Sequence, residues 1–457
     1  MKWLSAVGLG MSTYNTWGSM RMLSMTSMLN NATFYDNDYK ALVCLFLSGG
    51  NDSYNMLVPL DNRAYNDYAA TRSELALDKS KLLKINPLNT RGKKYGLHPS
   101  LQNMRQLFES RHLAFLVNIG ALIQPTEPEE VRKKSVPLPL GLFSHSDQQK
   151  HWMTAMPHRR TSVGWGGRIA DRMRDVNPDN SISMNISISG SNIFQQGEST
   201  IEFTVSPRGN TFGYYNYGKE DYWRYYVDYS RGIDSLSEAR YNDLFRDTYA
   251  GIMRNARDAY ILFSEALHSI DPINTAFPES RLGDAMRRIV EIIQANKVLG
   301  FRRQIFFVRM GGWDNHDELL NNHEDNLRVV DQAVGAFWQA LEEINATQNV
   351  VMFNMTEFAR TLTSNGNGTD HAWGGNVFVL GGPVRGKRIY GNYPSLALNA
   401  DRMVYRQALV PTRSIDEYFA ELAKWFGMHD SDIHEIFPNL SNFHEMRRGL
   451  PFGFLQV

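Results

Sequence analysis

Residues 304–316 read QIFFVRMGGWDNH: a mostly apolar strand, then a glycine pair, then Asp314 and His316. Downstream, Leu327, Val330, Val334, Phe337, Leu341 and Ile344 recur at steps of three and four, which lines one face of a helix. Residues 349–355 (NVVMFNM) are a second buried-type strand, and they end in Thr356-Glu357-Phe358-Ala359-Arg360-Thr361. A Gly/Asn-rich loop then carries Thr369-Asp370-His371, and residues 376–380 (NVFVL) close the unit. Strand–helix–strand of this length implies a right-handed crossover and parallel pairing. Ligands in such sheets bind outside the carboxyl ends of the strands. Asp314, His316, Glu357 and His371 are therefore candidates for one shared site.

Working outward, the same grammar appears earlier. Residues 41–48 (ALVCLFLS) form a strand that runs into Gly49-Gly50-Asn51-Asp52. Paired glycines allow a tight turn and bring the next side chains to the carboxyl edge, where Asp52 either contributes chemistry or caps the following turn. Residues 113–119 (LAFLVNI) are the next strand, and a proline-rich loop after it delivers Phe143-Ser144-His145-Ser146-Asp147. Ser146 with Gln149 reads as a capping box. Ser144 has no such local explanation, and at a helix N-terminus its hydroxyl would be activated as a nucleophile by unpaired amides and the dipole.

The middle of the chain is less regular. Ile182, Met184, Ile186 and Ile188 alternate with Ser and Asn, the pattern of a half-exposed strand, and Ile201, Phe203 and Val205 repeat it. The tract 214–229 holds Tyr214, Tyr215, Tyr217, Tyr222, Trp223, Tyr225, Tyr226 and Tyr229, which fits packing under a long loop or stacking on sugar rings. Helical patterns follow, with Tyr241, Leu244, Phe245, Thr248 and Ile252 on one face, then Leu282, Met286, Ile289 and Ile293, stopped near Gly300. Near the end, residues 414–426 (SIDEYFAELAKWF) make an amphipathic helix that Gly427 terminates.

The chain has 457 residues, 42% of them hydrophobic, enough for a large core. Lys+Arg and Asp+Glu are equal at 48, so nothing recommends nucleic acid or an anionic membrane as partner. The one cysteine, Cys44, cannot form an intrachain disulfide and reads as a small buried hydrophobe. The most apolar internal run, residues 113–123, is too short to span a bilayer. Residues 1–10 (MKWLSAVGLG) have the character of an export signal's apolar segment. They look like the middle of a twin-arginine signal, Met1-Lys2 being its last two motif positions; the rival is an ordinary disordered N-terminus over residues 1–35.

The ordered set Phe46-Leu47-Ser48-Gly49-Gly50-Asn51-Asp52, Leu97-His98-Pro99, Ser144-His145 with Asp147, Gly164-Trp165, Gly311 to His316, Glu357 to Thr361, Thr369-Asp370-His371 and Ile436-Phe437-Pro438-Asn439 resembles the bacterial family called domain of unknown function 1501, within the alkaline phosphatase and sulfatase superfamily. The resemblance spans about Lys40 to Phe443. It implies an alkaline-phosphatase-like α/β fold with a mostly parallel central sheet and helices on both faces: one domain over 40–457, elaborated around 180–300. It also implies a metal-assisted ester hydrolase in which Asp52, Asp314, His316, Glu357 and His371 hold metal and Ser144 is nearest to the nucleophile. Phe358 stands where the superfamily has a histidine, which points to one divalent ion or a weakened pair.

Three carboxylates at one spot cannot all stay ionised without a cation. Carboxylate and imidazole ligands suit Zn²⁺, Mn²⁺ or Mg²⁺, whereas Ca²⁺ prefers fewer imidazoles. Arg360 is expected to pair either with the substrate's anionic oxygens or with a neighbouring carboxylate. The leading expectation is an exported, periplasmic hydrolase of phosphate or sulfate esters, acting on an anionic small molecule or a glycan ester. The alternative is a non-catalytic protein of the same fold, serving as a binding or envelope-assembly component.

Overall fold

Strand β1, Lys40–Leu47, is buried from Ala41 to its end. Its side chains alternate between two cores: Ala41, Val43, Leu45 and Leu47 face one, and Leu42, Cys44 and Phe46 the other. A central strand buried on both sides needs this unbroken apolar run. The computed structural model describes residues 38–208, 217 and 224–457. The expected export segment, and Tyr214, Tyr215, Tyr222 and Trp223, lie outside the described residues.

The other strands of the main sheet are β2 (Leu113–Gly120), β3 (Asn185–Ser187), β4 (Phe203–Thr204), β5 (Arg303–Met310), β6 (Val350–Met355), β7 (Gly375–Gly381), β8 (Ile389–Tyr390) and β9 (Arg413–Ser414). Their order is β8-β2-β7-β6-β1-β5-β3-β4, with β9 also paired to β2. β1 lies between β5 and β6, parallel to both, with Ala41 opposite Gln304 and Val350. Only β7 runs against its neighbours. The segment from 356 to 374 stays at the carboxyl end of the sheet instead of crossing a face, so β7 enters from that end and has to run backwards.

The helices used below are α1 (Asn62–Arg72), α2 (Gln102–Glu109), α3 (His145–Thr154), α4 (Trp165–Arg172), α5 (Arg224–Glu238), α6 (Leu244–His268), α7 (Arg281–Gln294), α8 (Leu319–Glu343) and α9 (Ile415–Phe426). On one face α2, α7 and α8 bury Met104, Phe108, Met286, Ile289, Leu327, Val334 and Phe337. On the other, α3, α4 and α9 bury Trp152, Trp165, Ile169, Tyr418, Leu422 and Trp425. This is the α/β class expected, a mostly parallel sheet covered on both sides. The amphipathic helix read over 414–426 forms as α9 and ends as read at Gly427, φ 114°; a Ser414–Glu417 capping box starts it.

Two expectations are corrected. The Ile182–Ile188 stretch is not half exposed, because Asn185 and Ser187 are as buried as the isoleucines. The Asn185 side-chain nitrogen donates to the Gln195 carbonyl at 2.9 Å, so that nitrogen is satisfied inside, while the buried Oδ1 has no partner. The apolar stripe of α6 does form, but Leu244, Phe245 and Ile252 point outward and are exposed. The inward residues of that helix are Ala250, Arg257, Ala259, Phe263 and Ala266.

Candidate metal centre

Because β1, β5 and β6 are parallel, their following loops emerge at one edge. Gly49 and Gly50, at φ 127° and 89°, let those loops touch. A Cβ on Gly49 would lie 2.4 Å from the Asp314 backbone nitrogen, and one on Gly50 would lie 2.4 Å from the Phe358 ring. The glycine pair read from sequence as a tight turn is thus the seat for both neighbouring loops.

Asp314 is the hub. Its Oδ1 accepts from Arg360 Nη1 at 2.6 Å and lies 3.0 Å from His316 Nε2 and 3.2 Å from His371 Nε2. Its Oδ2 lies 3.2 Å from His145 Nε2. Partial burial opposes its ionisation, but Arg360 and the adjacent histidines hold the carboxyl below the usual range. Arg360 itself is fully buried, and each of its three nitrogens donates within the protein, four hydrogen bonds going to Asp314, the Gly49 and Thr369 carbonyls and the Thr369 hydroxyl. Of its two expected roles, the carboxylate partner is the one observed. It positions Asp314.

Two imidazoles are oriented by their outer nitrogens. His145 Nδ1 donates to Glu357 Oε1 at 2.9 Å, and His371 Nδ1 donates to the Phe143 carbonyl at 2.7 Å. Those acceptors cannot donate, so the proton sits on Nδ1 and each Nε2 is aimed at Asp314. The hydrogen bond to Glu357, against an opposing burial penalty and with Asp314 assisting, raises the basicity of His145. Burial lowers that of His371, the Phe143 carbonyl opposing it, so His371 is a neutral imidazole at pH 7. Its Nε2 also lies 3.0 Å from His316 Nε2. The Phe358 ring stacks on His371 at 4.6 Å between centroids and fixes the ring plane.

The donor set fits a divalent cation. One ligand atom from each of His145, Asp314 and His371 lies within 4.8 Å of the other two. His145 Nε2 is buried with no hydrogen-bond partner, an orphaned lone pair beside a carboxylate. Imidazoles whose outer N–H groups are held by a carboxylate or carbonyl are the usual form of metal-ligating histidine. Two imidazoles and a carboxylate suit Zn²⁺ or Mn²⁺ best.

The remaining expected residues take different places. His316 borders the cluster and is tethered through Nδ1 to Asp370 at 3.3 Å. Glu357 sits behind His145: its Oε1 accepts from His145, the Gly49 amide and Gln149, while its buried Oε2 has no partner. Asp52 reaches the same edge but is buried against Arg72 of α1, in an ion pair with both side chains 1% exposed. Replacing Arg72 with methionine is expected to cost about 3–5 kcal/mol, because it strands a buried carboxylate. Urea unfolding checks this, and Asp52→Asn in the Arg72→Met background should recover most of the loss. An unchanged midpoint would show the pair to be energetically idle.

Ser144 stands at the N-cap of α3, so that helix starts two residues before the expected Ser146 box. Ser144 Oγ contacts Ser146 Oγ at 3.2 Å, and Gln149 turns to Glu357 instead of capping. His145 is the ligand candidate that the sequence shows only within the Ser144-His145 motif. The available signal was its place beside Ser144, which hands both residues to one helix end. Beside Asp314 opens a cleft of about 530 Å³ lined by Gly312, Asn315, Asn322, Asp325 and Asn326.

The sequence model of the family described as Protein of unknown function (DUF1501) matches residues 279–437. That span holds Asp314, His316, Glu357, Arg360 and His371, in line with the resemblance read from sequence. A search of curated proteins returns no match. Among solved structures, the chain is similar to Ps i-CgsB in complex with k-i-k-neocarrahexaose at TM-score 0.34 and 10% identity, covering 88% of this chain and 77% of that one. It is also similar to the PsFucS1 sulfatase from Pseudoalteromonas sp., at TM-score 0.33 and 10% identity, covering 90% and 72%. Likeness at that level transfers neither site nor substrate. No helix among the described residues is long and apolar enough to cross a membrane.

Proposed function

We propose that this chain is an exported, metal-dependent hydrolase of phosphate or sulfate esters, with His145, Asp314 and His371 as the metal ligands. The observation that carries this reading is the pair of Nδ1-anchored imidazoles aimed at one partly exposed carboxylate. A bound divalent ion would polarise a phosphoryl or sulfuryl oxygen and lower the pKa of a coordinated hydroxyl. Arg360 keeps Asp314 ionised and in place, and Glu357 sets the tautomer of His145. Ser144, at the N-terminus of α3 and next to His145, would be the group that attacks the ester. The asparagines of the adjoining cleft can hydrogen-bond the alcohol portion, whether a small molecule or a glycan. Export rests on the signal-like residues 1–10.

With metal restored after chelation, aryl phosphate and sulfate esters provide the test. Ser144→Ala should reduce turnover at least about a thousandfold while leaving metal content unchanged. Turnover that survives the substitution removes Ser144 from the mechanism.

A second reading is favoured by two observations. Phe358 occupies the position expected of a ligand histidine, and every nitrogen of Arg360 already donates within the protein. A protein that keeps one ion structurally, as a binding or envelope component, would show both. Tight stoichiometric metal with no turnover on either ester class selects this reading.

A further inference from the structure

Helices α5 and α6 pack on each other as an arm whose polarity is inverted. The seam between them is polar: Arg257, with its side chain 5% exposed, donates to Asp234 at 2.9 Å and Ser237 at 3.2 Å, with Glu238 and Asp258 also in range. Arg254 Nη1 donates across the same seam to the Ser237 carbonyl at 3.0 Å. Five large apolar side chains lie outside. Leu244, Phe245, Tyr249 and Ile252 on α6 are 76%, 84%, 64% and 59% exposed, and Leu236 on α5 is 66% exposed. Phe245, Tyr249 and Ile252 are spaced i, i+4, i+7 and share one face of the helix. A hairpin exposed to water on its outer face has the opposite arrangement.

We infer that this outer face of α6, with Leu236 beside it, is the contact surface between two copies of this chain. Five large apolar side chains at these exposures offer on the order of several hundred Å². With their polar borders they approach the roughly 800 Å² per partner of a stable interface. Charge selects the occupant. Along the chain beside these residues, Arg240 and Arg246 stand against Glu238, Asp243 and Asp247, with Arg240 paired to Asp247, and the whole chain balances 48 basic against 48 acidic residues. An anionic bilayer or a nucleic acid calls for a cationic border, which is missing here. A second copy brings the same apolar stripe and the same mixed charges, and a two-fold axis can set each against its complement. The face supplies no residue to the metal cluster, so the inference stands apart from the hydrolase reading.

Sedimentation velocity of the purified full chain over a range of concentrations tests it. The expected result is a reversible species of twice the 52.3 kDa chain mass. Phe245→Glu with Ile252→Glu should weaken association at least about tenfold, with far-UV circular dichroism and metal content unchanged. If that double variant misfolds, Tyr249→Arg alone makes the same demand. A wild-type chain that stays monomeric throughout overturns the inference. So does association unmoved by the folded variants, or flotation of a monomer with neutral phosphatidylcholine vesicles.

Discussion

Asp314→Ala should abolish retention of the divalent ion, weakening Zn²⁺ or Mn²⁺ affinity by more than about a hundredfold, since loss of a mere supporting residue already costs 10–100-fold. Isothermal titration and metal analysis after chelation read this directly. The reasoning is geometric. Asp314 is where the nitrogens of His145, His316, His371 and Arg360 meet, within 2.6–3.2 Å of its two oxygens. Without it, two imidazoles face each other across an empty gap and the Arg360 cation loses its counter-charge. Asp52→Asn supplies the contrast. Its carboxylate is held by Arg72, so ion affinity should be unaffected by that substitution. Equal losses in the two variants would restore Asp52 as a ligand and displace this account of the centre.

Acid should destabilise the fold steeply from pH 6.5 downward, through two histidines outside the metal cluster. His98 and His323 are buried edge-to-face beneath the β1 loop, and His323 Nε2 pairs with the Asn51 side chain at 2.9 Å. Burial holds both near pKa 3, against 6.5 in the unfolded chain, with the charge of His323 adding to the effect at His98 and that of Arg72 at His323. The folded state therefore refuses protons that the unfolded state accepts, so stability is full above pH 6.5 and falls until about pH 3. Each histidine contributes about 1.4 kcal/mol per pH unit in that window, or roughly 2 kcal/mol by pH 5. The pair is worth a large part of an ordinary net stability of about 5–15 kcal/mol. Urea unfolding at pH 7.5 and pH 5, with chelator present, measures the drop, and His323→Gln should roughly halve it. A slope that the substitution leaves intact would assign the acid sensitivity elsewhere.

Much of the scaffold was legible because its signals are local. The mostly apolar runs at 41–48 and 304–310 read as buried strands, and they lie side by side in the sheet. The 327–344 stripe and the Gly427 stop after the 414–426 helix depend on spacing and dihedral preference within one turn or two, and both behave as read. The signals failed where satisfaction came from far away. Asn185 and Ser187 looked like surface residues until Gln195 and the neighbouring loop supplied partners for them. The α6 stripe looked like a core face, but nothing in a helical period says whether a partner lies against it.

The site divides the same way. Sequence alone determined that Asp52, Asp314, Glu357 and His371 belong to loops after strands, because glycine pairs and strand ends are written in consecutive residues. Parallel pairing then sent those loops to a common edge. Which carboxylate faces the ion, and which faces an arginine, was decided only by contacts between residues 20, 46 and 212 positions apart: Arg72 with Asp52, Arg360 with Asp314, His145 with Glu357. A buried charge takes whatever opposite charge or donor the packed chain brings within about 3 Å, and no spacing along the chain encodes that choice.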